Sequence, residues 1–304
     1  MLGCTPTKRP TPVSTSPERE SAPTAATVVP APEPEAQKAA DAEPAPPGDM
    51  ILVPGGPFTM GADGGGQEDE HPAHIVTLAA YWLDKNEATN EAYERCVAVK
   101  VCRPHDPKSA ELNHFGSDEV FRGARQPISS ISWDDAKTFC TWLGKRLPTE
   151  AEWEKAARGT DGRKYPWGDD PPDGTRAVFG TNRTAEVGSR PGGAGPYGHL
   201  DMAGNVWEWL EDLYDPYAYR RPGADRGIPG TCPEVLASQD ELRRKGSHGY
   251  TGTNPIPTEC ERALRGGAFN YGGPGLRSSN RVHHPGPFRL VMSGVRCAKD
   301  VAAP

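Results

Sequence analysis

The chain has 304 residues at a formal charge of −7, and Gly and Pro contribute 35 and 33 of them, about 22% together. That much punctuation excludes a helical bundle and points to a loop-rich body built from short elements. Mild acidity without a long Lys/Arg block argues against a nucleic-acid partner, and no run approaches the roughly 18 consecutive apolar residues of a membrane span.

Residues 1–49 hold eleven of the Pro and no aromatic residue, whereas all seven Trp lie beyond Met50. Leu2, Val13, Val28 and Val29 are the only large aliphatic side chains in this tail, too few to offset the entropy of ordering it. The tail is therefore expected to be a disordered, partly extended spacer, and residues 50–304 to form one body with a sizeable core.

Met1-Leu2-Gly3-Cys4 resembles the end of a bacterial lipobox, in which the Cys is lipidated and becomes the mature N-terminus. The charged and apolar stretches that normally precede a lipobox are not in this sequence. Either the start lies upstream or the likeness is accidental, and the Pro/Ala/Glu spacer directly after Cys4 favours the anchor. Setting Cys4 aside leaves an even set: Cys96, Cys102, Cys140, Cys232, Cys260 and Cys297. Even pairing together with that start favours an exported body with three disulfides over six buried thiols of a cytosolic protein. The expected location is the periplasm or an outer-membrane anchor.

Along the body, Ile51 to Val53 and Phe58 to Met60 read as strands around a Pro-Gly-Gly turn, followed by short strands at Ile75 to Leu78 and Tyr81 to Leu83. Thr89 and Asn90 precede a first helix over Glu91 to Val99. Ser132 with Asp135 opens a second helix, whose Ala136, Phe139, Cys140 and Leu143 form one core-facing stripe. Thr149 with Glu152 makes a capping box for a third helix, ended by Gly159. Beyond Gly159 periodicity is lost, and the segments to Tyr197 and from Asp215 to Glu259 read as loops held by disulfides.

Six blocks carry a family resemblance: M-I-L-V-P-G-G-P-F-T-M from Met50, D-K-N-E-A-T-N from Asp84, G-K-R-L-P-T-E-A-E-W-E from Gly144, Y-P-W-G from Tyr165, G-N-V-W-E-W from Gly204, and Arg265-Gly266-Gly267. In this order they resemble the formylglycine-generating enzyme (sulfatase-modifying factor) family, over essentially the whole body. The resemblance implies an α+β fold of low regular content, related to the C-type lectins and stabilised by disulfides. It also implies a Cys140–Cys297 bridge, leaving Cys96 with Cys102 and Cys232 with Cys260 as a staple across the long insertion.

The resemblance further implies two copper(I)-binding cysteines shortly after R-G-G, as suits a soft ion. The segment from Ala268 to Arg296 contains no cysteine, and Ala268 stands where the family usually has Ser. No copper and no cysteine-dependent formylglycine synthesis are therefore expected. Related branches dispense with the cysteine pair: sulfoxide synthases of ergothioneine biosynthesis hold iron through an additional helical domain, and a pyoverdine-maturation branch is periplasmic.

By the same resemblance, Asp201, the carbonyls of Gly204 and Val206, and Glu208 form a calcium cradle of hard oxygen donors. Around Asn182 a second cradle lacks partners, because the loop that carries them is shortened. His283-His284 beside Arg281 reads as solvated loop histidines before Pro285 rather than as an iron or copper pair, since adjacent residues seldom aim at one ion without a third ligand. Trp207 and Trp209 alternate around Glu208 and read as core, and Glu68-Asp69-Glu70 before His71 reads as a solvated acidic loop. The expected function is an exported binding module presenting the Asp215 to Glu259 insertion to a protein or glycan. A metalloenzyme using non-thiol ligands, and a calcium-dependent lectin suggested by fold analogy alone, are the alternatives.

Overall fold

In the computed structural model, which describes residues 49–112, 114–227, 230–245 and 260–302, the capping signals of the sequence set the helices. Thr89 caps α1 (Asn90–Ala98) by accepting from the Ala92 N–H at 3.2 Å. A one-turn α2 (Ser109–Leu112) follows. Ser132 and Asp135 close a reciprocal capping box on α3 (Trp133–Trp142), as do Thr149 and Glu152 on α4 (Glu150–Arg158), which ends at Gly159 with φ +68°. Leu143 does not belong to the core stripe of α3: it is the C-cap and is 39% exposed, because the helix stops one residue short of it.

Strands β1 (Met50–Val53), β2 (Gly56–Met60), β3 (His74–Leu78) and β4 (Tyr81–Asp84) fall where the sequence places them. β1 and β4 pair antiparallel, Val53 opposite Tyr81, and β2 pairs with β3. The later strands escaped the sequence pattern: β5 (Trp207–Leu213), β6 (Arg262–Arg265), β7 (Val282–His284), β8 (Ser293–Gly294) and β9 (Ala298–Asp300). They form a four-stranded sheet in the order β7-β6-β5-β8, while β9 crosses back to pair with β4. Short strands among long loops give the α+β body its low regular content.

The segment from Asp215 to Glu259 is not all loop. Residues 218–220 and 224–226 form 3-10 turns, and α5 (Cys232–Lys245) follows. Glu234 accepts from the Thr231 backbone N–H at 2.7 Å, a capping interaction that starts α5 and outweighs its polar composition.

One core packs α1, α3 and β5 through Tyr93, Phe121, Phe139, Trp207, Trp209 and Phe269. A second joins β1, β4 and α4 through Val53, Tyr81, Leu83 and Trp153. The bridges are Cys96–Cys102, Cys140–Cys297 and Cys232–Cys260, with Cα separations of 5.2, 5.6 and 5.8 Å. Among the described residues no helix is long and apolar enough to cross a membrane. Of the spacer read over residues 1–49 all but Asp49, and with it the lipidation read at Cys4, lie outside the described residues.

Candidate functional site

Helix α4 places Glu150 and Glu154 on one face, four residues apart, and both meet buried guanidiniums. Arg265, the first residue of R-G-G, is fully buried and donates from Nε to Glu150 at 2.8 Å, with Nη2 3.0 Å from Glu154 and 2.6 Å from the Tyr219 hydroxyl. Arg281 donates to both Glu150 oxygens at 2.7 and 2.9 Å, and to the carbonyls of Asp69 and Asp215. Burial alone pushes the Glu150 carboxyl up, but Arg281 and then Arg265 outweigh it and hold it down at about 2. The two arginines therefore fix both ends of the loop between them.

That loop leaves the R-G-G turn in a conformation only Gly allows: Gly267 has φ +83°, and a Cβ there would lie 2.6 Å from Leu276. Ala268, Phe269 and Leu276 are fully buried. Phe269 meets Phe115 edge-on at 5.1 Å, and Tyr271 meets Trp207 at 5.1 Å and 89°. The interior beside the turn is thus filled by aromatic and aliphatic groups, while Cys297 is bonded to Cys140.

On its outer side the loop forms a groove of about 550 Å³ with the Gly64–Gly66 run, Arg158, Lys164 and Tyr165. Here the acidic loop reading is corrected. Asp69 and Glu70 are buried in and beside a 3-10 turn, 3% and 0% exposed, because each has a donor waiting. Glu70 accepts from Arg277 and from Ser279 Oγ, and Asp69 accepts from the Tyr214 hydroxyl at 2.5 Å. Lys164 is tied to the opposite wall through its carbonyl, which accepts from the Ser278 N–H at 2.9 Å.

The expected calcium residues lie together, with Asp201 at φ +55° and Gly204 at +88° bending the loop, but Glu208 has other partners. Its carboxylate receives Arg296 on both oxygens at 2.7 Å and Trp153 Nε1 at 2.7 Å. Asp201 accepts from the Gly188 N–H at 2.5 Å, and the neighbouring Glu87 accepts from Asn205 and from the Val206 N–H. Burial raises Glu87 well above the usual carboxylate range, aided by Asp201 and Glu208. Glu87, Asp201 and Glu208 are three buried carboxyls beside one buried guanidinium; burial favours the neutral form of Glu87 and raises Asp201, while Glu208 is already balanced by Arg296. A calcium ion here would lean on Asp201 and the Gly204 and Val206 carbonyls, sharing Glu208 with Arg296. Among the described residues no group of three or more His, Cys, Asp or Glu is placed to hold a metal by side chains alone.

Trp207 and Trp209 are core, 2% and 0% exposed. His283 and His284 are not solvated loop residues: they sit on β7, where His283 stacks on Tyr214 at 4.1 Å and its Nδ1 lies 2.5 Å from Glu261. Burial, then His283, pushes His284 down to about 4, leaving it neutral. Asn182 is exposed, on a loop apart from these groups. Sequence reasoning missed Glu150, Glu154, Arg265 and Arg281 as a unit, although the i,i+4 carboxylates of T-E-A-E-W-E were the available signal.

A family model described as the sulfatase-modifying factor enzyme 1-like domain matches residues 35–301. The serine/threonine-protein kinase Pkn1 of Chlamydia trachomatis is 32% identical over 265 residues, 83% of this chain but 38% of the kinase, so the chain spans well under half of that relative. The formylglycine-generating enzyme of Streptomyces coelicolor is 33% identical over 243 residues, covering 60% of this chain and 74% of that enzyme. Among solved structures, PvdO from Pseudomonas aeruginosa aligns with a TM-score of 0.63 at 26% identity, over 83% of this chain and 94% of that one.

Proposed function

The chain belongs to the sulfatase-modifying factor enzyme family, and from that premise we propose that it uses the family scaffold as an exported binding module without copper-thiolate chemistry. The observation that carries the reading is the segment from Ala268 to Arg296, which has no cysteine and packs Phe269, Tyr271 and Leu276 beside the R-G-G turn. A copper(I) centre needs soft thiolates, and each of the six body cysteines is bonded to another.

Three disulfides favour an oxidising compartment, and the lipobox-like Leu2-Gly3-Cys4 followed by a Pro/Ala/Glu-rich stretch is consistent with attachment to a membrane through a lipid on Cys4. Calcium is proposed as a structural ion on the Asp201 to Glu208 loop, on the strength of hard oxygen donors brought together where Asp201 and Gly204 bend the chain. The test of the main reading is mass spectrometry of a cysteine-containing sulfatase peptide incubated with the protein, copper(I) and oxygen. The peptide mass is expected to stay unchanged. Loss of the thiol to an aldehyde, or stoichiometric copper or iron uptake with oxygen consumption, overturns the binding-module reading.

A further inference from the structure

We propose that the groove between the Gly64–Gly66 run and the Gly273–Ser279 loop binds a small molecule bearing a phosphate or sulfate ester. The inference rests on the binding-module reading and gives it a site and a ligand class. At about 550 Å³ the groove has the size of pockets that enclose small ligands.

Its charge is lopsided. Arg158, Lys164 and Arg277 line it against one carboxylate, Glu70. Glu70 is fully engaged within the wall by Arg277, Ser279 and the Gln67 N–H. Arg158 lies 3.0 Å from Glu154, yet Glu154 also serves Arg265, so one carboxylate answers two guanidiniums. Lys164 is exposed, with its ammonium 5.4 Å from the Tyr165 ring centroid and no ion pair among the described residues. The Nε–H groups of Arg158 and Arg277 are sealed inside the wall, so it is the field of these guanidiniums and the exposed Lys164 ammonium that a ligand in the groove meets.

Three cations against one engaged carboxylate, with the Lys164 ammonium exposed, call for an anion. A tetrahedral ester supplies three oxygens and strong charge-assisted hydrogen bonds. Gly64 and Gly65 have nothing within 4 Å of where a Cβ would stand, so a ligand can approach their backbone closely. On the other side the groove is closed by the edge of Tyr165, which is 5% exposed and stacked on Trp167 at 5.2 Å, so the ester group and not the ring it is attached to supplies the recognition.

Isothermal titration calorimetry of the full chain, without copper, with glucose 6-phosphate, glucose 6-sulfate and glucose tests this. At least one ester is expected to bind while glucose does not, and the ester that binds assigns the group. Lys164→Glu is expected to weaken binding about tenfold with an unchanged melting curve, since the residue is exposed. Lys299→Glu, on β9 away from the groove, keeps wild-type affinity. No heat from either ester, or equal affinity in Lys164→Glu, overturns the proposal. Such a failure leaves the loss of thiolate chemistry standing, because that reading is judged by the peptide assay alone.

Discussion

Asp212 and Glu150 are in contact beneath α4, and their carboxyls respond to burial in opposite ways. Asp212 accepts the Glu150 N–H at 2.9 Å but has no ion pair among the described residues, so burial and then the Glu150 charge push it up to about 7 against the weaker pull of Arg281. The native state therefore keeps a proton on Asp212 that the unfolded chain has released above about pH 4. Stability from this group is whole below that pH and is lost as pH rises toward 7. Asp212→Asn keeps the acceptor and removes the titration. The variant is expected to match wild type near pH 4 and to exceed it near pH 8 by a few kcal/mol, about 1.4 for each pH unit of displacement. Denaturant titrations across that range check it, and a parallel pH slope in both proteins would sink the assignment. None of this was legible in the sequence, where Asp212 is one acid in W-E-W-L-E-D, because its burial depends on α4 folding over it.

Elements with their own start signals were legible and elements defined by distant partners were not. The Ser132…Asp135 and Thr149…Glu152 boxes located α3 and α4, since a capping interaction is written within four residues. In β5, Glu208 points inward to Arg296 and Trp153, 88 and 55 residues away, so a charged residue on a buried strand concealed the pattern. For the same reason Glu70 looked solvated: Arg277 and Ser279 lie more than 200 residues along the chain. The loop entering β5 is where the calcium proposal is decided. If an ion bridges Asp201 and the Gly204 and Val206 carbonyls, excess chelator added to calcium-loaded protein lowers the melting temperature, as loss of a native-state ligand must. An unchanged curve removes the site.

At the scale of the molecule the disulfides differ greatly in reach. Cys140–Cys297 spans 157 residues and Cys96–Cys102 spans 6. In the chain-entropy model these separations correspond to about 5 and about 2 kcal/mol. The Cys140→Ala/Cys297→Ala variant should therefore melt roughly 10 to 15 °C lower by calorimetry, and Cys96→Ala/Cys102→Ala only a few degrees lower. Equal losses would show that the long bridge does not act through the unfolded chain. The family blocks made the architecture readable because they fall on the turns and buried ion pairs that every part of the body converges upon. The groove was not readable, because its walls come from three distant stretches.

β9 joins the sheet begun by β1, and Arg296 and Cys297 just before it reach back to Glu208 and Cys140. A ribosome delivers the first two hundred residues of this body well before those partners exist. The nascent polypeptide must then wait in an open form, with Glu208 uncovered and Cys140 unpaired, until its last strand emerges. Were the chain exported as proposed, through a channel that passes an unfolded thread, that delay would let closure follow on the far side.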